Sequence, residues 1–319
     1  MQNMLIKVLD RETLGLDLPF EILEKMGNVE LYDKTTRDEL IGRISDADVI
    51  VINKVKITRE VILASPKLRL VCVFATGYDN VDVAAAREAG VAVCNVPAYS
   101  TDSVTLFTLA TVLSLATHLG QYRAHVASGK YTSEGKSNCI TPVYHEIRGK
   151  IWGIIGFGNI GRSVARVAEA LGAEIIVNKR EPVADYKCVD IDELCRTADI
   201  ITVHCPLNES TRKLINKERL ALMKPDAILV NEARGAVLDE GAVCDAILEG
   251  NLGAFGCDVY STEPFDEKHP YRKIMELENV CLTPHSAWGA YEARLRCLNV
   301  ICDNIKSFAE GKIKNRVDI

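Results

Sequence analysis

GIIGFGNIGRSVARVAEALGAEIIV, running from Gly153 to Val177, is a strand, a glycine turn, a helix and a second strand in that order. Gly156, Gly158 and Gly161 stand in G-x-G-x-x-G spacing, directly after the apolar run Ile151-Ile155 and at the start of the helix. The first glycine permits the tight turn, the second lets backbone approach a pyrophosphate, and the third lets the helix pack close to the strand. Amides at that helix N-terminus then point at an anion. This context, and not the glycines alone, predicts a dinucleotide-binding unit whose loop is Gly156, Phe157, Gly158, Asn159, Ile160 and Gly161. NAD enzymes of this kind place a carboxylate at the end of the second strand to hold the ribose hydroxyls. Here that strand ends in Asn178, Lys179 and Arg180, and the first carboxylate is Glu181. Lys179 and Arg180 can pair with a 2'-phosphate that a carboxylate would repel, so the expected cofactor is NAD(P), with NADPH favoured over NADH. A solvated strand end, or a Glu181 that swings in, is the other reading of these residues.

Working outward, the same alternation continues on both sides. Downstream, strands are expected at Glu174-Val177, Ile200-His204, Ala227-Val230, Gly253-Cys257 and Val280-Leu282, which with Ile151-Ile155 makes six and fits a doubly wound fold. Upstream, Leu5-Leu9, Asp48-Ile52, Leu68-Val73 and Val91-Cys94 read as strands, with helical stretches at Glu21-Met26, Thr58-Leu63 and Val83-Ala89. VIVI at Val49-Ile52 has no period-two alternation, as expected of a parallel strand covered on both faces. Between the two series, Thr101 to Ser128 reads as one long buried helix, and Gly129 to Arg148 as a loop or arm. Ala290 to Gly311 is a last amphipathic helix with apolar positions at Leu295, Leu298, Ile301, Ile305 and Phe308. The fold class is α/β with two domains.

Composition narrows the function. The 319 residues suggest two domains at roughly 150 residues each, and 48% hydrophobic with 26% charged residues can bury a sizeable core. Net charge is -6 with no Lys/Arg block, so no nucleic-acid partner is expected. No apolar run approaches the ~18 residues of a membrane span, and Met1 to Leu9 lacks a signal-peptide core, so the expected location is cytoplasmic with no membrane partner. Eleven cysteines are scattered through apolar runs without a C-x-x-C pair, which favours small buried thiols over a zinc or redox site; no metal is expected.

Three segments follow predicted strands: NEARG with Arg234, DVYSTEP with Asp258 and Glu263, and TPHSAW with His285. Ligands bind at strand C-termini in such folds. A histidine that donates a proton, a carboxylate that holds its far ring nitrogen and favours the protonated ring, and an arginine that clamps a carboxylate suit reduction of a 2-keto acid. Singly, Arg234 is a plausible surface ion-pair former, Glu263 a turn residue before Pro264, and His285 one of six histidines. Their order and placement together carry the reading.

With these residues the sequence resembles the D-isomer-specific 2-hydroxyacid dehydrogenase family over essentially its whole length. ATGYDNVD (Ala75 to Asp82), NVPAYSTDSV (Asn95 to Val104), GIIGFGNIG (Gly153 to Gly161), NEARG, DVYSTEP and PHSAW occur in the family's order and at its usual spacings. The resemblance implies a catalytic triad of Arg234, Glu263 and His285. It implies substrate contacts from the amides of Thr76, Gly77 and Tyr78, from Arg234 and from Trp288. It implies cofactor contacts from the glycine loop, Asn178, Lys179, Arg180, Cys205, Pro206, Thr211, Glu232, Ala233, Asp258, His285 and Ala287. Residues 1–99 with 286–319 are then a flavodoxin-like substrate domain and residues 100–285 a Rossmann cofactor domain inserted into it, with a cleft that closes on substrate. PHSAW looks most like the glycerate dehydrogenase and hydroxypyruvate reductase branch, unless Trp288 is simply the first core residue of the last helix. The expected reaction is therefore reduction of hydroxypyruvate or glyoxylate by a nicotinamide hydride. Glu232 departs from the family pattern, where that position is small or hydroxylated, and its carboxylate lies near the nicotinamide ribose or points away. A homodimer through the cofactor domain is expected, with the Gly129 to Arg148 arm embracing the partner. The rival from another class is a dinucleotide-sensing corepressor or scaffold of the same fold, disfavoured because the chain starts close to its first strand and stops just after its last helix.

Overall fold

The computed structural model describes residues 4–319; the first three residues of the Met1 to Leu9 segment lie outside the described residues. The chain divides into two compact units, Met1–Ser100 with Gly289–Ile319, and Thr101–Trp288.

The first unit is a parallel sheet of β1 (Leu5–Val8), β2 (Asn28–Leu31), β3 (Val49–Ile52), β4 (Leu70–Val73) and β5 (Ala92–Cys94), in the order β2-β1-β3-β4-β5. That is the flavodoxin-like order. Every residue of β3 and β4 is buried, which is why neither alternates. β2 was not expected, because NVEL at the sheet edge buries none of its residues fully and shows no apolar run. Helix Arg37–Ile44 was also unforeseen: only Leu40 and Ile44 are buried, and its start is fixed by a capping box between Thr36 and Glu39. The chain returns at the end through helix Tyr291–Ala309, which buries Cys297, Leu298, Ile301 and Ile305. The tail then pairs with β5, Val317 N donating to Val93 O and Asp318 Oδ1 accepting from Val93 N.

The second unit holds β6 (Ile151–Ile155), β7 (Glu174–Asn178), β8 (Lys187–Cys188), β9 (Ile200–Val203), β10 (Ile228–Asn231), β11 (Ala254–Cys257) and β12 (Val280–Leu282). They form one parallel sheet in the order β12-β11-β10-β9-β6-β7-β8, the doubly wound arrangement with seven strands instead of the six expected. β8 is two residues long at the sheet edge and leaves no periodic signal.

The stretch Thr101 to Ser128 is not a single buried helix. Helix Thr101–Ala116 buries Ser103 through Leu115 at intervals, whereas helix Leu119–Ala127 buries nothing, and the two meet at 65° through His118 at φ 51. Gly256 explains the close seat of the first helix on β11, since a Cβ there would lie 2.4 Å from Thr111 Cγ2. Leu119 and Val126 read as apolar core in the sequence, yet they are 60% and 59% exposed. The following arm contains only the short helix Lys130–Ser133. No single helix among the described residues is long and apolar enough to cross a membrane. Burial pushes the Cys94 and Cys205 thiols up to about 11 and Cys195 to about 12, which suits inert packing groups.

Candidate active site

Parallel strands in register end together, so the residues that follow them leave the sheet in a row. Ile155 pairs with Val203, Val203 with Asn231, Asn231 with Cys257, and Cys257 with Leu282. The next residues are therefore neighbours along one edge: Gly156, His204, Glu232, Asp258 and Thr283. All the chemistry expected of the second unit begins within a few positions of this row.

At Gly156 the chain turns with φ +89, and a Cβ would lie 2.5 Å from Cys205 N. Gly161 sits against β6, its absent Cβ only 2.3 Å from Gly156 O. Gly158 is exposed, and a Cβ there would meet nothing within 4 Å. It opens helix Asn159–Ala170 without any side-chain cap, so the first amides are left to an external anion, and the turn fits a dinucleotide pyrophosphate. Phe157 turns inward, 2% exposed and edge-on to Tyr186, and Arg162 lies over its ring. Only its backbone is available to a ligand. Asn178 Nδ2 donates to Val189 O, while Lys179, Arg180 and Glu181 are all exposed beyond the strand end. After β9, Cys205 is buried and Pro206 exposed, and Thr211 Oγ1 closes the loop on Pro206 O at 2.7 Å.

Arg234 is half-buried; its Nη1 donates to Ala233 O, and its own carbonyl accepts from Asn231 Nδ2. Asn231 Oδ1 in turn accepts from Ala233 N, so the side chain of a fully buried strand residue shapes the NEARG turn. The structure brings Glu263 and His285 together: Nδ1 lies 2.6 Å from Oε2, with the two side chains 24% and 28% exposed on the His and Glu sides. Glu263 Oε1 accepts from Tyr260 N at 3.0 Å, and Tyr260 Oη donates to Thr283 O, tying the two segments to each other. His285 has φ 54, a conformation that L residues rarely adopt.

Asp258 is what holds that conformation. Its carboxylate is 1% exposed and accepts from Thr283 Oγ1 (2.6 Å), Ser286 N (2.7 Å) and Ala287 N (2.8 Å). Burial raises its carboxyl above the ordinary range, and these donors pull it back. Sequence reading placed Asp258 only on the cofactor side; the structure gives it the loop that carries His285. Glu232 turns inward. Both carboxylate oxygens are enclosed, and burial together with the Asp258 charge pushes its carboxyl up to about 9, only partly opposed by the Thr111 hydroxyl. The neighbouring His204 ring is also enclosed, and burial pushes it down to about 3.

In the first unit, Thr76, Gly77 and Tyr78 form the turn after β4. Thr76 Oγ1 donates to Val96 O, Asn95 Nδ2 to Thr76 O, and Asn80 Nδ2 to Asn53 O and Val55 O. Buried Asp10 accepts the amides of Asn53, Lys54 and Val55 beneath them. Trp288 lies in a turn ahead of helix Tyr291–Ala309 and so is not the first core residue of that helix.

The family described as D-isomer specific 2-hydroxyacid dehydrogenase, NAD binding domain, matches residues 109–287. This chain is 37% identical to the hydroxypyruvate reductase of Blautia hydrogenotrophica, over 99% of this chain and 100% of that one. The chain belongs to the D-isomer-specific 2-hydroxyacid dehydrogenase family. Within it, the glycerate dehydrogenase of Methylorubrum extorquens is 34% identical over 97% of this chain and 98% of its own. The D-lactate dehydrogenase of Aquifex aeolicus, solved with NAD and lactic acid, superposes with a TM-score of 0.87 at 25% identity over 99% of each chain. As a member of this family, the protein is an NAD(P)-dependent oxidoreductase.

Sequence reading missed one set of residues in this region. Glu240, Ser261 and His269 form a hydrogen-bonded cluster beneath the DVYSTEP turn. Glu240 opens a helix, where an acidic residue reads as a partner of the helix dipole, so nothing in the sequence tied it to Ser261 twenty-one positions later.

Proposed function

We propose that this dehydrogenase reduces a short 2-keto acid, hydroxypyruvate or glyoxylate by preference, to the 2-hydroxy acid, D-glycerate from the first and achiral glycolate from the second. The observation that carries this is the 2.6 Å Glu263–His285 contact, at the same sheet edge as the glycine turn and the Arg234 segment. The bound dinucleotide supplies the hydride. Arg234 clamps the substrate carboxylate, and His285, held by Glu263 through Nδ1, delivers the proton from Nε2 to the carbonyl oxygen as the alcohol forms. The amides of Thr76, Gly77 and Tyr78 are assigned to the substrate carboxylate and Trp288 to the substrate side chain. Lys179 and Arg180, exposed at the end of β7, favour NADPH over NADH by pairing with the 2'-phosphate. Residues 1–99 with 286–319 are assigned to substrate and residues 100–285 to cofactor.

Assembly as a homodimer through the second unit is supported by the exposed apolar side chains Leu119, Ile140, Val143 and Tyr144, which line a shallow hollow beside Tyr122. Sedimentation at micromolar concentration should give twice the 35.1 kDa chain mass; a monomer contradicts this assignment. The cytoplasm is the proposed location, tested by fractionation of the source cells.

Initial rates with hydroxypyruvate, glyoxylate, pyruvate and phenylpyruvate, each with NADH and NADPH, test the rest. Fast NADPH-dependent turnover of the two smallest polar keto acids is expected. Equal or better rates with NADH remove Lys179 and Arg180 as phosphate ligands. No turnover of any keto acid with cofactor bound favours the sensing or scaffold reading.

A further inference from the structure

We propose that Glu240, acting with Ser261 and His269, is a positioning residue for Glu263, so that a buried carboxylate–histidine pair fixes the geometry of the exposed one. The inference rests on the roles proposed above for Glu263 and His285.

Glu240 is the first residue of helix Glu240–Leu248, but the cap belongs to Asp239, whose side chain accepts from Ala242 N. Glu240 is free to serve elsewhere. Its side chain is buried, which is rare for a carboxylate unless donors surround it. The donors are Ser261 N at 2.8 Å, Ser261 Oγ, and His269 Nε2 at 3.1 Å. His269 Nδ1 accepts from Tyr271 N at 3.3 Å, which fixes the ring proton on Nε2, facing Glu240. Every partner of the carboxylate thus lies in the segment that carries Glu263 or runs on from it.

Ser261 stands next to Tyr260, whose amide binds Glu263 Oε1, and two residues before Glu263 itself. Fixing Ser261 by both its amide and its hydroxyl therefore fixes the turn on which the Glu263 carboxylate folds back. The Arg234 segment is keyed to the same place. A Cβ on Gly235 would lie 2.0 Å from Tyr260 C and 2.2 Å from Ser261 N, so only glycine lets the two turns touch. Residues 261–264 are exposed, so the packing of Tyr260 on Phe265 and Tyr271 holds the ends of this turn and the polar grip of Glu240 holds its middle. A site that served stability alone would be met as well by apolar packing, because a buried ion carries a desolvation cost.

The test compares the full-length protein with S261A, S261T, E240Q and E263Q. The readouts are kcat and KM for hydroxypyruvate and the downfield proton resonance of the His285 Nδ1–H bond in nitrogen-15 histidine-labelled protein. E263Q identifies the resonance by shifting it upfield, because the amide oxygen is an uncharged and weaker acceptor. S261A is expected to shift or broaden that resonance and to lower kcat about tenfold with KM nearly unchanged, and S261T to restore both. E240Q is expected to act in the same direction and more strongly; if it does not fold, S261A, at an exposed residue, decides alone. A resonance left at its original position in S261A, with kcat within about twofold, overturns the proposal while the Glu263–His285 reading stands. A resonance that keeps its position in E263Q removes that reading and the proposal with it.

Discussion

Two carboxylate–histidine pairs in the same unit have been given opposite surroundings. Glu263 and His285 meet at 2.6 Å with side chains 28% and 24% exposed, while Glu240 and His269 meet at 3.1 Å with side chains 10% and 6% exposed. His269 has both ring nitrogens engaged and stacks on Phe265, so its proton has nowhere to go. His285 sits on a left-handed backbone in a loop that Asp258 pins by the two following amides, at a depth that solvent reaches. The chemistry of the pair is the same in both places. Access distinguishes the pair assigned to proton exchange from the pair assigned to hold a turn.

The largest expected effect breaks the exposed pair. His285→Gln should lower kcat by about 10²–10⁴-fold, leaving the dissociation constant for the reduced cofactor, read by fluorescence, within a few fold. A variant that retains most of its rate removes His285 from proton transfer. Glu263→Gln should cost less, about 10–100-fold in kcat, since the ring keeps its place through the loop but exchanges a charged acceptor at Nδ1 for a neutral one. His269→Gln sharpens the contrast by touching the buried pair. It should lower unfolding free energy by about 2–3 kcal/mol in urea titration, through a lost hydrogen bond to a buried carboxylate, while kcat falls less than in Glu263→Gln. A larger kcat loss in His269→Gln than in Glu263→Gln would reverse the assignment of the two pairs.

The difference in burial also marks what the sequence could disclose. Gly156, Gly158 and Gly161 were readable because turn chemistry is local, and VIVI at Val49-Ile52 because a doubly covered strand must be apolar throughout. Glu263 and His285 were readable as a pair only through their order after two strands, since register brings those strand ends together. β2 and β8 were not, because edge strands need no apolar run. The break at His118 was hidden by Leu119 and Val126, which carry core-like side chains on a helix that buries none of them. Glu240 was hidden for a different reason: its partners are set by how the NEARG and DVYSTEP turns stack, which depends on the absent Cβ of Gly235 and on no pattern within either segment.

Glu232 extends the comparison to a carboxylate with no histidine and only the Thr111 hydroxyl beside it. It departs from the family's small or hydroxylated residue, and the sequence left its direction open; the structure turns it into the protein beside Asp258. A carboxyl pushed up to about 9 from an ordinary value of 4.5 is protonated in the folded protein at neutral pH and ionised in the unfolded chain. The folded state then binds more protons than the unfolded state between those two values, so this residue's contribution to stability falls as pH rises through that window. Glu232→Gln keeps the shape and removes the titration. Relative to the unmodified protein it should therefore gain on the order of 2 kcal/mol or more between pH 5 and pH 8, the buried amide adding a cost that is the same at every pH and drops out of that difference. Urea titrations at pH 5, 6.5 and 8 measure the difference directly. A stability gap that stays constant across that range would mean that Glu232 is ionised in the folded protein, and Asp258 would then need a donor beyond Thr283, Ser286 and Ala287 to tolerate a second charge beside it.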